Sequence, residues 1–188
     1  EGGAVCPNCG RYLNWKKQGF NCSCGLTNKD AEINLTAGSA AIRNAQLANI
    51  AAEKIGAAPI EINEAALERS AELNVKGVRT KLRLTKNPAS WREALLGIRS
   101  NNVILILNAR EVDGIDTSWL WDIDFSSLKG KKIAVTGERA LDMVYRLHVQ
   151  GIDSKDFKDF ESAVGHFEKN SNVDVLAAYT AFHGLVRA

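Results

Sequence analysis

The sequence predicts an α/β protein whose larger part is a mainly parallel sheet covered by helices on both sides. Short β-rich runs at 103–107 (VILIL), 132–136 (KIAVT) and 173–177 (VDVLA) are separated by helical stretches. That alternation builds parallel sheets. The first run is apolar at every position, as befits a strand buried on both faces. The N-terminus stands apart, since all four cysteines fall within the first 24 residues.

The cysteine segment reads C-P-N-C-G, then C-S-C-G, with twelve residues between Cys9 and Cys22. A glycine after each pair lets the backbone turn so that amides approach the sulfurs. Two such turns facing each other place Cys6, Cys9, Cys22 and Cys24 around a tetrahedral ion, the geometry of a structural Zn2+ site. Residues 11–15 and 19–21 suit two short ribbon strands. The competing readings are two disulfides, which a reducing compartment disfavours, and a redox C-x-x-C, which lacks its strand–helix context. A ribbon this short has no core of its own, so the metal supplies its folding energy. Arg11, Lys16, Lys17 and Lys29 read as a solvated face.

Beyond the ribbon, residues 31–35 suit a short strand. Ser39 can cap an Ala-rich helix through Ile55, closed by Gly56. Asn63 can cap a second helix, with Ile62 and Leu67 as its hydrophobic staple. Residues 80–85 look extended, and Lys86-Asn87-Pro88 turns the chain into a helix over 90–98. After the strand at 132–136 comes a helix with Ala140, Leu141, Val144 and Leu147 on one face. Residues 157–169 read as helical, 173–177 as a strand and 181–186 as a terminal helix. Neither an internal repeat nor a low-complexity tract is visible.

Composition limits the partners. Of 188 residues, 45% are hydrophobic and 24% charged, as in globular proteins. A formal net charge of +2 gives no electrostatic reason to expect nucleic acid. No apolar run approaches the roughly 20 residues of a membrane span, and no signal peptide opens the chain, so a cytoplasmic location is expected. The phosphate loop G-x-x-x-x-G-K-[ST] is missing, and the chain reads as the back part of something longer.

Residues 113–125, DGIDTSWLWDIDF, concentrate four carboxylates and two tryptophans just past the strand at 103–107. Function in open α/β sheets collects beyond the C-terminal strand ends. Asp113-Gly114 is a turn signature, followed by an expected short extended segment anchored by Trp119 and Trp121. The segment fits either a solvated loop with capping carboxylates or a loop that carries a functional acid. A calcium loop would need a bidentate Glu at its twelfth position, which is lacking. A carboxylate that orients a His fits the second reading, yet His148, His166 and His183 have no visible nucleophile beside them. Such a triad would have to be completed by another protein.

The ordered combination of CPNCGR, CSCG, the helix between Gly38 and Gly56, KNPASW and DGIDTSWLWDIDF resembles the MurT subunits of lipid II isoglutaminyl synthase. That family is related to the Mur peptide ligases. The resemblance implies a zinc ribbon at 1–28, the C-terminal part of the central Mur ligase domain at 29–78, and a Rossmann-like C-terminal domain at 79–188. It also implies Cys6, Cys9, Cys22 and Cys24 as Zn2+ ligands, and an ATP- and Mg2+-dependent ligase whose main nucleotide site lies outside these residues. The implied activity is amidation of the D-glutamate α-carboxyl of lipid II at the inner face of the membrane, with ammonia from a GatD-type class I glutamine amidotransferase. Asp116 matches the acid that completes the partner's Cys-His-Asp triad. Asp113, Gly114, Trp119, Trp121 and Asp122 shape or flank that loop. Asn44 is the candidate nucleotide contact, although Ala40-Ala41 stand where the family often has His-Asn, and Arg79 is carried over beside it. The alternative is a non-catalytic zinc-ribbon binding module on an α/β domain.

Overall fold

The structure, a computed structural model, describes residues 5–6, 8–16, 19–27, 40–59 and 70–187. The strand expected at 31–35, the Ser39 cap, the Asn63-capped helix with its staple, Lys17 and Lys29 lie outside them. The chain forms two compact units, Glu1–Glu64 and Ala65–Ala188.

In the first unit, β1 (Asn14–Lys16) pairs antiparallel with β2 (Gly19–Asn21), Asn14 opposite Asn21. Val5 and Tyr12 bridge beside them but are 58% and 73% exposed, whereas Cys6 and Cys22 are buried. Among the described side chains of the ribbon, the buried ones are thus the cysteines Cys6 and Cys22. Helix α1 (Ala40–Lys54) ends just before Gly56.

The second unit holds a six-stranded sheet. Its strands are β3 (Ser70–Val75), β4 (Val78–Leu84), β5 (Asn102–Ile106), β6 (Lys132–Thr136), β7 (Lys155–Asp156) and β8 (Asn172–Ala177), in the order β3-β4-β8-β5-β6-β7. Only β3 runs antiparallel to its neighbour. Alternate residues of β5 face opposite ways, so Val103 and Leu105 join one apolar layer and Ile104 and Ile106 the other. The first layer packs under α2 (Pro88–Leu96) and α3 (Ala140–Val149), the second under α4 (Phe160–Val164) and α5 (Tyr179–Arg187).

Several expectations are refined. Helix α2 starts at Pro88, because Asn87 and Ser90 form a reciprocal capping box. Helix α3 buries Ala140, Met143, Arg146 and Leu147, and Leu141 is 70% exposed instead of inward. The helix expected over 157–169 shrinks to α4: Asp159 caps it through Ser162 N, and Phe157 N still bonds the Val135 carbonyl as an extension of β7. Strand β3 is an addition. It folds onto β4 through Lys76 and Gly77, both with positive φ, the geometry of a tight hairpin turn. Strand β3 and the start of β4 thus fall within the unit Ala65–Ala188.

Where β6 leaves the sheet, Gly137 has φ +104°, and a Cβ there would stand 2.4 Å from the Leu107 carbonyl oxygen. Only glycine lets the exits of β5 and β6 come this close.

Candidate functional site

The acidic segment begins at the C-terminal end of β5, and two short 3-10 turns replace the expected extended stretch: Ser118–Asp122 and Ser126–Leu128. The same local chemistry opens both. Asp116 accepts from Ser118 N at 2.8 Å and from Ser118 Oγ at 2.9 Å. Asp124 accepts from Ser126 N and Oγ, each at 2.9 Å. An Asp that captures the amide two residues on bends the chain into a turn. These donors, the backbone amide foremost, hold both carboxyls below the usual carboxylate range. Both are therefore ionised at neutral pH.

The two acids differ in their surroundings. Asp124 also meets Gln150 Nε2 at 3.5 Å and feels the charge of Arg146. Asp116 is exposed on the outward side of the turn, with both oxygens steadied by Ser118 and open to a further donor.

Asp113 has another task. It is buried and accepts from Thr180 N at 2.8 Å and Thr180 Oγ1 at 2.6 Å. It thereby satisfies an amide in the first turn of α5 that lacks an intrahelical partner. With Arg110 N at 3.2 Å and its own amide on the Arg110 carbonyl, it fixes the Asp113-Gly114 turn to the end of the sheet.

The loop beyond is clamped from two helices. Arg146 of α3 is buried, with Nε donating to the Leu120 carbonyl at 3.0 Å and Nη2 to the Ile123 carbonyl at 2.6 Å. Its guanidinium lies 5.1 Å from the Trp121 ring centre. From α2, the fully buried Trp91 meets Phe125 edge-on at 5.9 Å and Trp119 at 6.4 Å. Trp119 is thus an anchor, whereas Trp121 is 54% exposed and stands edge-on to Tyr145. The Asp122 side chain is exposed, and its carbonyl accepts from Arg92. A recess of about 320 Å³ opens beside the turn between Thr117, Ser118, Trp121, Leu141 and Tyr145. A second, of about 380 Å³, lies by Arg110 and His183, where Glu138 neutralises Arg110. It touches neither Asp116 nor the loop beyond.

Arg146 and Thr180 have no signal in the sequence. Trp91 closes the KNPASW run, and Ser118 shows as the Asp-x-Ser spacing that recurs at Asp124 and Ser126. Of the histidines, His166 packs on Phe157 and Phe167, His183 packs on Tyr179 and Phe182, and His148 is exposed. Arg79 binds Asn172 and the Asn170 carbonyl, which ties β4 to β8. Asn44 lies exposed on α1.

In the ribbon, the sulfurs of Cys6, Cys9, Cys22 and Cys24 all lie within 4.8 Å of one another and are unbridged. This group could hold a metal ion. Cys6 and Cys24 approach to 3.6 Å, Cys9 and Cys22 to 3.4 Å. Sulfurs around a tetrahedral ion at about 2.3 Å would sit about 3.8 Å apart. The Cys24 backbone amide pulls the Cys22 thiol down to about 6. Cys9, although the Arg11 backbone lowers it, is raised to about 11 by its bond to Cys22.

Residues 84–182, more than half the chain and all of the acidic loop, match the family described as MurT ligase C-terminal. The chain belongs to this family. A relative from Streptococcus pneumoniae, the lipid II isoglutaminyl synthase (glutamine-hydrolyzing) subunit MurT, is 31% identical over 110 residues, or 52% of this chain and 25% of the relative. The subunit of the same name from Staphylococcus aureus is 26% identical over 193 residues, 79% of this chain and 43% of the relative. The chain therefore spans less than half the length of these MurT relatives. A solved UDP-N-acetylmuramoyl-L-alanyl-D-glutamate–2,6-diaminopimelate ligase aligns with 87% of this chain and 38% of its own, at 14% identity and a TM-score of 0.37. That likeness is too loose to bear on function. No helix among the described residues is long and apolar enough to cross a membrane.

Proposed function

We propose that this chain is the C-terminal part of a MurT subunit and that Asp116 serves as the acid of a glutaminase triad in a second protein. The observation that carries this reading is an exposed, ionised carboxylate at the C-terminal end of β5, on a loop fixed by Arg146 and Trp91 and inside the family-matched segment. Ser118 sets the rotamer of Asp116. A partner imidazole arriving from solvent could donate its Nδ1–H to a free lone pair. The carboxylate would then hold the imidazole tautomer whose Nε2 takes the proton from a cysteine thiol, and would stabilise the imidazolium that forms. The MurT relatives, subunits of a glutamine-hydrolyzing synthase, support the same division of labour.

On this reading the ribbon ligands Cys6, Cys9, Cys22 and Cys24 hold Zn2+, which adds folding energy to a segment without a core. The assembled enzyme would use ATP and Mg2+ bound mainly outside these residues to activate the D-glutamate α-carboxyl of lipid II, and would add ammonia released by the GatD-type partner on the cytoplasmic side. Helix α1 would belong to the central ligase domain, with Asn44 toward the nucleotide, and Asp122 would face the partner. The test is to add the chain to the purified glutaminase and follow glutamate release. Stimulation that saturates with added chain supports the reading, and no stimulation despite complex formation contradicts it.

A further inference from the structure

Helix α3 is apolar on two sides. Its inner side buries Ala140, Met143 and Leu147 against the sheet. Its outer side carries Leu141, Tyr145 and Val149 at four-residue spacing, 70%, 62% and 53% exposed. A helix with one face in the core normally turns a polar face to water. Among the described residues of the sheet unit, five of the eight exposed large hydrophobics come from α3 and the acidic loop, with Val112 just before that loop; Leu96 and Val186 are the other two. Exposed apolar surface gathered in one place marks an interaction site.

The patch is built as an anchor. Trp121 stands edge-on to Tyr145 at 6.3 Å between centroids, and the buried Arg146 guanidinium underlies it at 5.1 Å. Its rings are therefore held before any partner arrives, and aromatic residues in fixed positions dominate binding energy at protein interfaces. The patch is also tied to the acid. Thr117 Oγ1 donates to Asp142 on α3 at 3.2 Å, and Ser118, which holds Asp116, lines the same recess as Leu141 and Tyr145.

We infer that Leu141, Tyr145 and Trp121 form the docking face for the glutaminase that Asp116 serves, an inference that rests on the reading of Asp116 above. A protein seated so that its imidazole meets Asp116 must cover the adjoining ridge. Arg139, which lines the same recess, is paired with Asp142. The Asp116 and Asp122 carboxylates beyond it favour a partner surface with a cationic rim and oppose an anionic lipid surface.

The experiment titrates the whole chain with the purified glutaminase by calorimetry, with glutamine hydrolysis measured in parallel. Leu141→Glu and Tyr145→Glu are expected to weaken binding more than about 30-fold. Both side chains are more than half exposed, so thermal unfolding should be unchanged. Val186→Glu, on the α5 side of the sheet, and Asp116→Asn should bind within about threefold of wild type, the scale of a rim change. Wild-type affinity in both ridge variants overturns the docking face while leaving Asp116's role intact. Loss of hydrolysis in no Asp116 variant would overturn that role instead. A ridge substitution that only turns a dimer into a monomer in light scattering would make the face a contact between copies, and would overturn the inference too.

Discussion

Arg146 reaches from the core side of α3 to the backbone of Ile123, its Nη2 donating to that carbonyl at 2.6 Å while Nε holds Leu120. One buried cation thus closes the 3-10 turn that follows Asp116. Removing it takes the donor from the buried Ile123 carbonyl and leaves Leu120 with the Ile123 amide at 3.3 Å. Arg146→Leu is expected to cost about 2–4 kcal/mol, read as a lower urea midpoint. Arg146→Lys should recover less than half of that, because an ammonium cannot span both acceptors as the planar fork does. A loss below about 0.5 kcal/mol in Arg146→Leu would show that the clamp contributes little.

Asp113 and Asp122 separate by burial. Asp113→Ala removes the acceptor for Thr180 and should cost about 1–2 kcal/mol, the scale of a lost helix cap, with faster exchange of the Thr180 amide. Asp122→Ala removes only an exposed carboxylate and should stay within about 0.5 kcal/mol. Equal effects would contradict the cap.

The Asp116 carboxyl should titrate below the roughly 3.9 of an unperturbed Asp. Its native value is lowered, so its contribution to the turn is complete above the unfolded value and is lost as pH falls through the native one. Carboxyl-detected NMR should find the charge intact throughout mildly acid conditions. Ser118→Ala takes away the hydroxyl donor and should move the midpoint up, toward the unperturbed value. An unmoved midpoint would remove Ser118 from the account.

For the ribbon, purified chain should carry about one zinc per molecule. Cys22→Ser should lower that content and erase the NOEs between Asn14 and Asn21. A zinc-free ribbon that keeps this pairing would refute the metal's structural role.

Much of the fold was legible because burial leaves a pattern. Residues 103–107 and 132–136 read as strands from apolar content alone, and one of the runs that carry the family resemblance, DGIDTSWLWDIDF, fell on the loop after β5. The losses have physical causes. Strand β3 is only half apolar and is stabilised by pairing with β4, so SAELNV carries little signal of its own. In α3 the expected stripe was right for Ala140, Val144 and Leu147, but it took in Leu141, which points outward, and missed Met143 and the polar Arg146 on the inward side. The acidic loop looked extended because Trp119, Trp121, Ile123 and Phe125 alternate with polar residues. The structure bends it instead, since Asp116 and Asp124 each capture the amide of a serine two residues on. That the two acids share one geometry was visible as Asp-x-Ser twice. What sets them apart, Gln150 and Arg146 beside Asp124, is tertiary and had no trace in the local sequence.

That pair provides the most direct measurement. Glutamine hydrolysis by the glutaminase should be compared in complexes with wild-type chain, Asp116→Asn and Asp124→Asn, each checked for intact binding. The account predicts a loss of about 10²- to 10⁴-fold for Asp116→Asn, the scale for a His deprived of its orienting acid, with near wild-type hydrolysis for Asp124→Asn. Unchanged hydrolysis in Asp116→Asn, or an equal loss in both, would contradict it.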